Sequence, residues 1–223
     1  PGTCGVAAGA VAAVGRIAAA SALNGLVQTT VLRTVPCVPY FYQGTEWWDF
    51  SLVDPDNRRP VDYAARQSAL TTLDEGFDVA RLLDAWRDGR IKQALIARVL
   101  AFRKEKPALF SRGSYQPLAI EGSRADHALA FIRRDGHDRA LVVVTMRASA
   151  LLEDRSIPHV ARGRWNVDEH GGHDTTVVLP TDAASVEWQE GVTGHRRGRG
   201  PRRMKIAHRQ ADLPDAAPGA LPP

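Results

Sequence analysis

The chain carries only two cysteines in 223 residues, Cys4 and Cys37, with two methionines and 7% aromatic side chains. Two unpatterned cysteines build neither a disulfide framework nor a metal site, so a reducing, cytoplasmic setting is expected. There is no Gly-rich phosphate loop, and no Ser or Cys stands in a nucleophile motif. His170 and His173, with Glu169, are separated by Gly171-Gly172. That spacing lacks the i, i+4 register of a zinc helix and reads as a loop, so no metal site is expected there. The Ala/Gly/Val-rich opening from Pro1 to Ala20 has no initiating Met and no basic leader, and Arg16 interrupts it, so it is not read as a signal peptide. Hydrophobic residues make up 44% and charged residues 24%, a globular composition that excludes wholesale disorder and a membrane protein.

The formal net charge is +4, and much of the excess lies in His195-Arg196-Arg197-Gly198-Arg199-Gly200-Pro201-Arg202-Arg203, with Lys205 after it. The stretch reads as a solvated tail. It has no interleaved aromatics on which bases could stack, so no nucleic-acid partner is expected.

Helical signals fill the first half. Leu23, Leu26, Val27, Thr30 and Val31 recur at helical spacing between Ala18 and Arg33, and Pro36 and Pro39 forbid continuation. The apolar run Val38 to Tyr42 then reads as a buried strand. Asp62 is placed to cap a helix reaching about Leu73, and Asp78 a second one whose Val79, Leu82, Leu83 and Trp86 share a face. Asp88-Gly89 breaks it. A further helix aligns Ile91, Leu95, Val99 and Phe102, and Pro107 ends it. Beyond Arg112 the pattern changes to short alternating runs, Tyr115 to Ile120, His127 to Arg133, Ala140 to Met146, Thr175 to Leu179 and Ser185 to Trp188. Runs of that length between Gly, Asp and Pro predict a small antiparallel β-sandwich.

Within the helical half lies the most informative segment. Tyr42-Gln43-Gly44-Thr45-Glu46-Trp47-Trp48-Asp49-Phe50-Ser51-Leu52-Val53-Asp54-Pro55-Asp56-Asn57-Arg58-Arg59-Pro60-Val61-Asp62 puts aromatics, carboxylates and paired arginines into one loop. Such a set suits sugar: indoles cover the C–H faces of pyranoses, and guanidinium forks and amides bind hydroxyls. Each residue also has a structural reading. Arg58 and Arg59 either order Asp54 and Asp56 or donate to sugar. Asn57 either binds a hydroxyl or stabilises a turn. Trp47 and Trp48 either stack on glucose or pack, and packing is expected for at least one. Trp86, Trp165 and Trp188 are assigned to packing.

This loop closely resembles the maltooligosyltrehalose synthases of the α-amylase superfamily, glycoside hydrolase family 13. The resemblance runs on through Asp88-Gly89-Arg90-Ile91-Lys92, Arg103 to Phe110, Gly113-Ser114-Tyr115-Gln116-Pro117-Leu118 and Val192-Thr193-Gly194, covering roughly Ser21 to Gly194. Cys37 stands where the family usually has Gly, and Tyr40 where it has Asp. The resemblance implies an α/β plus all-β architecture: residues 1–111 as the C-terminal end of a (β/α)8 TIM barrel with inserted helices, and 112–195 as the β-sandwich. Residues 196–223, where the family usually finishes with a compact apolar strand, read from their composition as a basic, Pro/Ala-rich disordered tail. A complete barrel takes about 250 residues. The chain is therefore expected to be the C-terminal part of a larger enzyme, with the N-terminal barrel portion as its partner.

The implied activity is the conversion of the reducing-end α-1,4 bond of a maltooligosaccharide to α,α-1,1, a reaction that needs no metal and no organic cofactor. The family's catalytic carboxylates lie on earlier barrel strands, so no catalytic residue is expected here and the isolated chain should be inactive. Glu46, Asp49, Asp54 and Asp56 match family positions that shape or bind. The candidate substrate-binding residues are Tyr42, Gln43, Glu46, Trp47, Asp54, Asn57, Arg58 and Arg59. Two alternatives stand beside this reading: a non-catalytic carbohydrate-binding or interaction module on the β unit, and another glucan hydrolase or trehalose-converting enzyme of the superfamily.

Overall fold

The structure is a computed structural model, and it describes residues 3–76, 78–147, 149, 174–183, 186–191, 196–197 and 203–205. Helix α1 spans Thr3–Thr34 and uses two stripes of one cylinder. Ala19, Ala22 and Leu26 pack with Trp48, Leu82, Leu83, Trp86 and Ile91. Val27, Val31 and Val35, spaced by four, lie against Phe131, Val142 and Val144 of the β unit. Such i, i+4 repetition presents one continuous ridge to a sheet. Among the described residues no helix is long and apolar enough to cross a membrane.

The segment expected to be a buried strand, Val38 to Tyr42, is extended but unpaired. Val38 is 90% exposed and Tyr40 76%. A strand is made by its neighbours, none lies beside this one among the described residues, and Pro36 and Pro39 bring no N–H to a ladder.

The helices that follow begin where the sequence placed them. Asp62 Oδ1 accepts from Ala65 N at 2.9 Å and opens α2, Tyr63–Glu75. Asp78 Oδ1 accepts from Ala80 N and Arg81 N and opens α3, Val79–Asp84. These caps satisfy amides that have no carbonyl one turn back. Gly89 takes φ +80° between a short 3-10 turn, Trp86–Asp88, and α4, Arg90–Glu105. A Cβ there would come within 2.8 Å of Trp48 N and 2.9 Å of Trp47 Cβ, so glycine lets the loop lie directly on the turn. Pro107 does not merely stop α4; it is the first residue of α5, Pro107–Ser111.

The second half is antiparallel sheet, as its alternation predicts. One sheet has the order β1 (Ser114–Pro117), β3 (Ala128–Asp135), β4 (Asp138–Thr145). A second has β2 (Ile120–Glu121), β5 (Thr176–Val178), β8 (Arg203–Lys205); β6 (Trp188–Gln189) pairs with β7 (Arg196–Arg197). The hairpin register sets Phe131 opposite Val142 and Ile132 opposite Leu141. Successive side chains therefore point to opposite faces. Phe131, Val142 and Val144 meet α1, while Ala130, Ile132, Leu141 and Val143 meet Val177, Leu179, Ala183, Trp188 and Met204.

The basic stretch read as a tail is corrected in two places. Arg196–Arg197 pairs with β6, and Arg203–Lys205 pairs with β5. Met204 turns into the apolar cluster while Arg203 stays exposed, so alternation prevails over net charge. Residues 206–223, Val192-Thr193-Gly194, Trp165 and the Glu169–His173 segment lie outside the described residues.

Candidate functional site

The loop from Tyr42 to Asp62 is folded against α2 and α4 by a set of polar contacts centred on Arg66. From the first turns of α2, its Nε donates to Glu46 Oε2 at 3.1 Å, its Nη2 to Gly44 O at 2.9 Å, and its Nη1 to Asp62 O at 3.1 Å. Its guanidinium also lies over the Trp47 ring, 4.7 Å from the centroid. A planar fork with five N–H donors can make such a set, and a lysine cannot. Gly44 takes φ +84°, and a Cβ there would meet Val61 Cγ2 at 2.9 Å, which closes the two ends of the loop on each other.

Helix α4 holds the tryptophans. Trp47 Nε1 donates to Gln93 Oε1 at 2.8 Å, and Gln93 Nε2 donates to Arg66 O at 2.9 Å. Lys92 Nζ donates to Trp47 O at 3.1 Å and stands over the Trp48 ring. Burial pushes the Lys92 ammonium below its ordinary value and nearby Arg33 adds to this, while Asp49 and Glu46 oppose it. Trp48 Nε1 donates to Trp86 O at 2.6 Å, and its ring joins the apolar cluster of α1 and α3. Trp48 is thus the packing member of the pair. Trp47 is half-buried and fixed at its edge and on one face.

The carboxylates are engaged within the loop. Asp49 Oδ1 accepts from Ser51 Oγ at 2.6 Å and Ser51 N at 3.0 Å, and those bonds hold its carboxyl below the usual carboxylate value. Asp56 Oδ2 accepts from Leu52 N at 2.7 Å. Arg58 Nη2 donates to Asp54 Oδ2 at 3.0 Å, and Arg59 Nε donates to Asp56 O at 3.1 Å with the Asp56 carboxylate alongside. Both arginines therefore order loop acids, on exposed side chains. Asn57 Oδ1 is buried without a hydrogen-bond partner among the described residues. Tyr42 is half-buried and its carbonyl accepts Thr45 Oγ1 at 2.7 Å, whereas Gln43 is exposed. No group of three or more His, Cys, Asp or Glu side chains among the described residues is placed to hold a metal ion.

The structure thus brings Glu46 and Trp47 into one clasp and sets Asp54, Arg58 and Arg59 exposed on a separate turn, with Asn57 half-buried in it. Sequence reasoning missed Arg66 and Gln93, the residues that tie the loop down. Gln93 carried a signal: it is a polar side chain on the buried face of α4, three residues before Ile96. Arg66 carried none, because nothing in the helical pattern distinguishes it from a solvated arginine.

A provisionally named maltooligosyl trehalose synthase of Mycobacterium tuberculosis is 35% identical over 167 residues, which are 73% of this chain and 20% of that protein. The solved maltooligosyltrehalose synthase of Arthrobacter ramosus superposes with a TM-score of 0.59 at 31% identity, over 81% of this chain and 20% of its own. A second solved maltooligosyl trehalose synthase gives 0.52 at 25% identity, over 81% of this chain and 22% of its own. The chain spans about a fifth of the length of the relatives it matches. No protein-family model matches it.

Proposed function

Over the 167 residues that it shares with those relatives the chain belongs to the maltooligosyltrehalose synthase family, and we propose that it is the C-terminal portion of such a synthase. In this reading residues 1–111 close a (β/α)8 barrel, residues 112–195 form the β-sandwich beside it, and the enzyme is cytoplasmic. Its reaction moves the reducing-end glucose of a maltooligosaccharide from an α-1,4 to an α,α-1,1 bond. A carboxylate supplied by the barrel attacks the anomeric carbon, and the departing O4 takes a proton from a second carboxyl. The anomeric hydroxyl of the released glucose then displaces the first carboxylate and gives its proton back to the second.

This chain's part is positioning. The single observation that carries the reading is the clasp of Arg66, Gln93 and Lys92 on Gly44, Glu46 and Trp47, which makes a long loop rigid from within. A rigid wall beside the reacting bond holds the released glucose and keeps water from the glycosyl-enzyme. The loop's own carboxylates are spent on Ser51, Leu52, Arg58 and Arg66. The isolated chain is accordingly a non-catalytic part.

The test is a chimera in which residues 21–194 of this chain replace the matching segment of the Arthrobacter ramosus synthase, incubated with maltohexaose. Reducing ends should fall without release of glucose or maltose, while the isolated chain leaves them unchanged. A folded chimera that releases glucose and maltose instead would assign the segment to a hydrolase. Transglucosylation by the isolated chain would place the chemistry within it.

A further inference from the structure

Arg133 is wholly buried in β3, and among the described residues no carboxylate is one of its hydrogen-bond partners. Its guanidinium donates instead to five main-chain carbonyls: Thr34 at 2.9 Å, Leu109 at 3.1 Å, Phe110 at 3.3 Å, Gly113 at 2.9 Å and Ser114 at 3.1 Å. Those carbonyls belong to the end of α1, to α5, to the turn after it and to β1. Helix ends have carbonyls with no amide one turn on and carry the negative pole of the dipole, so they can receive a buried cation.

The same helix end leads to the loop. Arg103 Nη1 donates to Arg33 O at 2.7 Å, the carbonyl before the one that Arg133 holds. Arg33 is itself buried, donates to Thr29 O, and lies over the Phe41 ring at 4.1 Å. Phe41 stands at the entrance of the loop. We infer that Arg133 is a positioning residue which, through the last turn of α1 and the Arg33–Phe41 contact, sets where the loop from Pro36 to Asp62 stands on the β unit. The apolar contact of Val27, Val31 and Val35 with Phe131 holds the two units together, but dispersion has no direction and leaves the helix free to slide. Directed bonds from one guanidinium to the helix end remove that freedom. This deepens the loop-positioning reading above, and its readout involves no sugar.

The test is amide exchange on the whole chain at Cys37 and Thr45, whose N–H groups bond to Val35 O and Tyr42 O, and at the Trp47 indole N–H. Amides of 139–144 in β4 serve as the internal reference. Arg133→Lys keeps the charge and loses the fork; Phe41→Leu cuts the path at its other end. Each should speed exchange at the loop sites roughly tenfold while the β4 amides hold, which is local opening rather than global unfolding. Because both act on one path, the double variant should exchange no faster than the faster single. Unchanged loop amides, equal loosening of loop and β4, or multiplied effects in the double would overturn the inference. If Arg133→Lys does not fold, Arg103→Met takes its place, with the same expected and overturning results.

Discussion

The loop from Pro36 to Asp62 and the β3–β4 hairpin both carry many large apolar residues, aromatic in the loop and branched aliphatic in the hairpin, yet they spend them in opposite ways. In the hairpin, Phe131 and Ile132 are fully buried on opposite faces, and each strand supplies hydrogen bonds to the other. In the loop, Phe50 is 87% and Leu52 77% exposed, and order comes from Arg66, Gln93, Lys92 and Asp49 bonding to the backbone and to one another. Apolar side chains hold the hairpin; in the loop Trp48 packs inward on the α1 and α3 cluster and polar side chains supply the rest. The loop is thereby fixed while Val38, Tyr40, Phe50, Leu52 and Val53 still face outward. A segment that must present side chains to something else needs that arrangement.

The largest expected effect breaks the comparison on the hairpin side. Phe131→Ala should lower stability by about 3–5 kcal/mol, since it opens a cavity where the sheet meets α1. Leu52→Ala should stay within about 0.5 kcal/mol, because the side chain contributes little to the folded state. Urea midpoints of the two variants measure the contrast, and equal losses would mean that the loop's apolar groups are buried after all. Next in size is the loop's own support. Arg66→Met should cost about 1–3 kcal/mol by leaving the Glu46 carboxylate and Gly44 carbonyl without their donor. Trp47 emission should shift in that variant as the guanidinium leaves the ring, and an unchanged spectrum would count against the clasp.

The smallest effect sharpens the comparison by pH. The Asp49 carboxyl lies below the usual carboxylate value because Ser51 Oγ and N donate to it. Its contribution is therefore present above the ordinary carboxylate value and is lost as pH falls through the lower folded value. Ser51→Ala should flatten that acid limb slightly, as befits an exposed group, and leave stability near neutral pH almost untouched. A limb as steep as in the parent chain would remove Asp49 from the loop's polar support.

Local chemistry was legible wherever it is local. Asp62 and Asp78 cap the helices expected of them, the break expected at Asp88-Gly89 comes at a glycine of positive φ, and the alternating runs His127 to Arg133 and Ala140 to Met146 become the two strands of a hairpin with α1 on one face. The same logic applied to Val38 to Tyr42 gave a buried strand that the structure leaves unpaired, because composition describes what a segment can do and not whether a neighbour exists. For the site, Glu46 and Trp47 were named from their place in the loop. Their actual partners, Arg66 and Gln93, stand 20 and 46 residues further on, beyond the reach of any motif.

The sequence by itself determined the helix starts, the sheet alternation and the loop wording that carries the family likeness. Each is set by neighbours within a few residues: a cap bonds three amides on, and strand faces alternate by two. Only the tertiary structure decided that Trp48 packs while Trp47 is clasped at its edge, that Arg203–Lys205 is a strand, and that a buried Arg133 gathers carbonyls from α1, α5 and β1. Those outcomes depend on which distant groups arrive at one point, and that is fixed by the packing of whole elements.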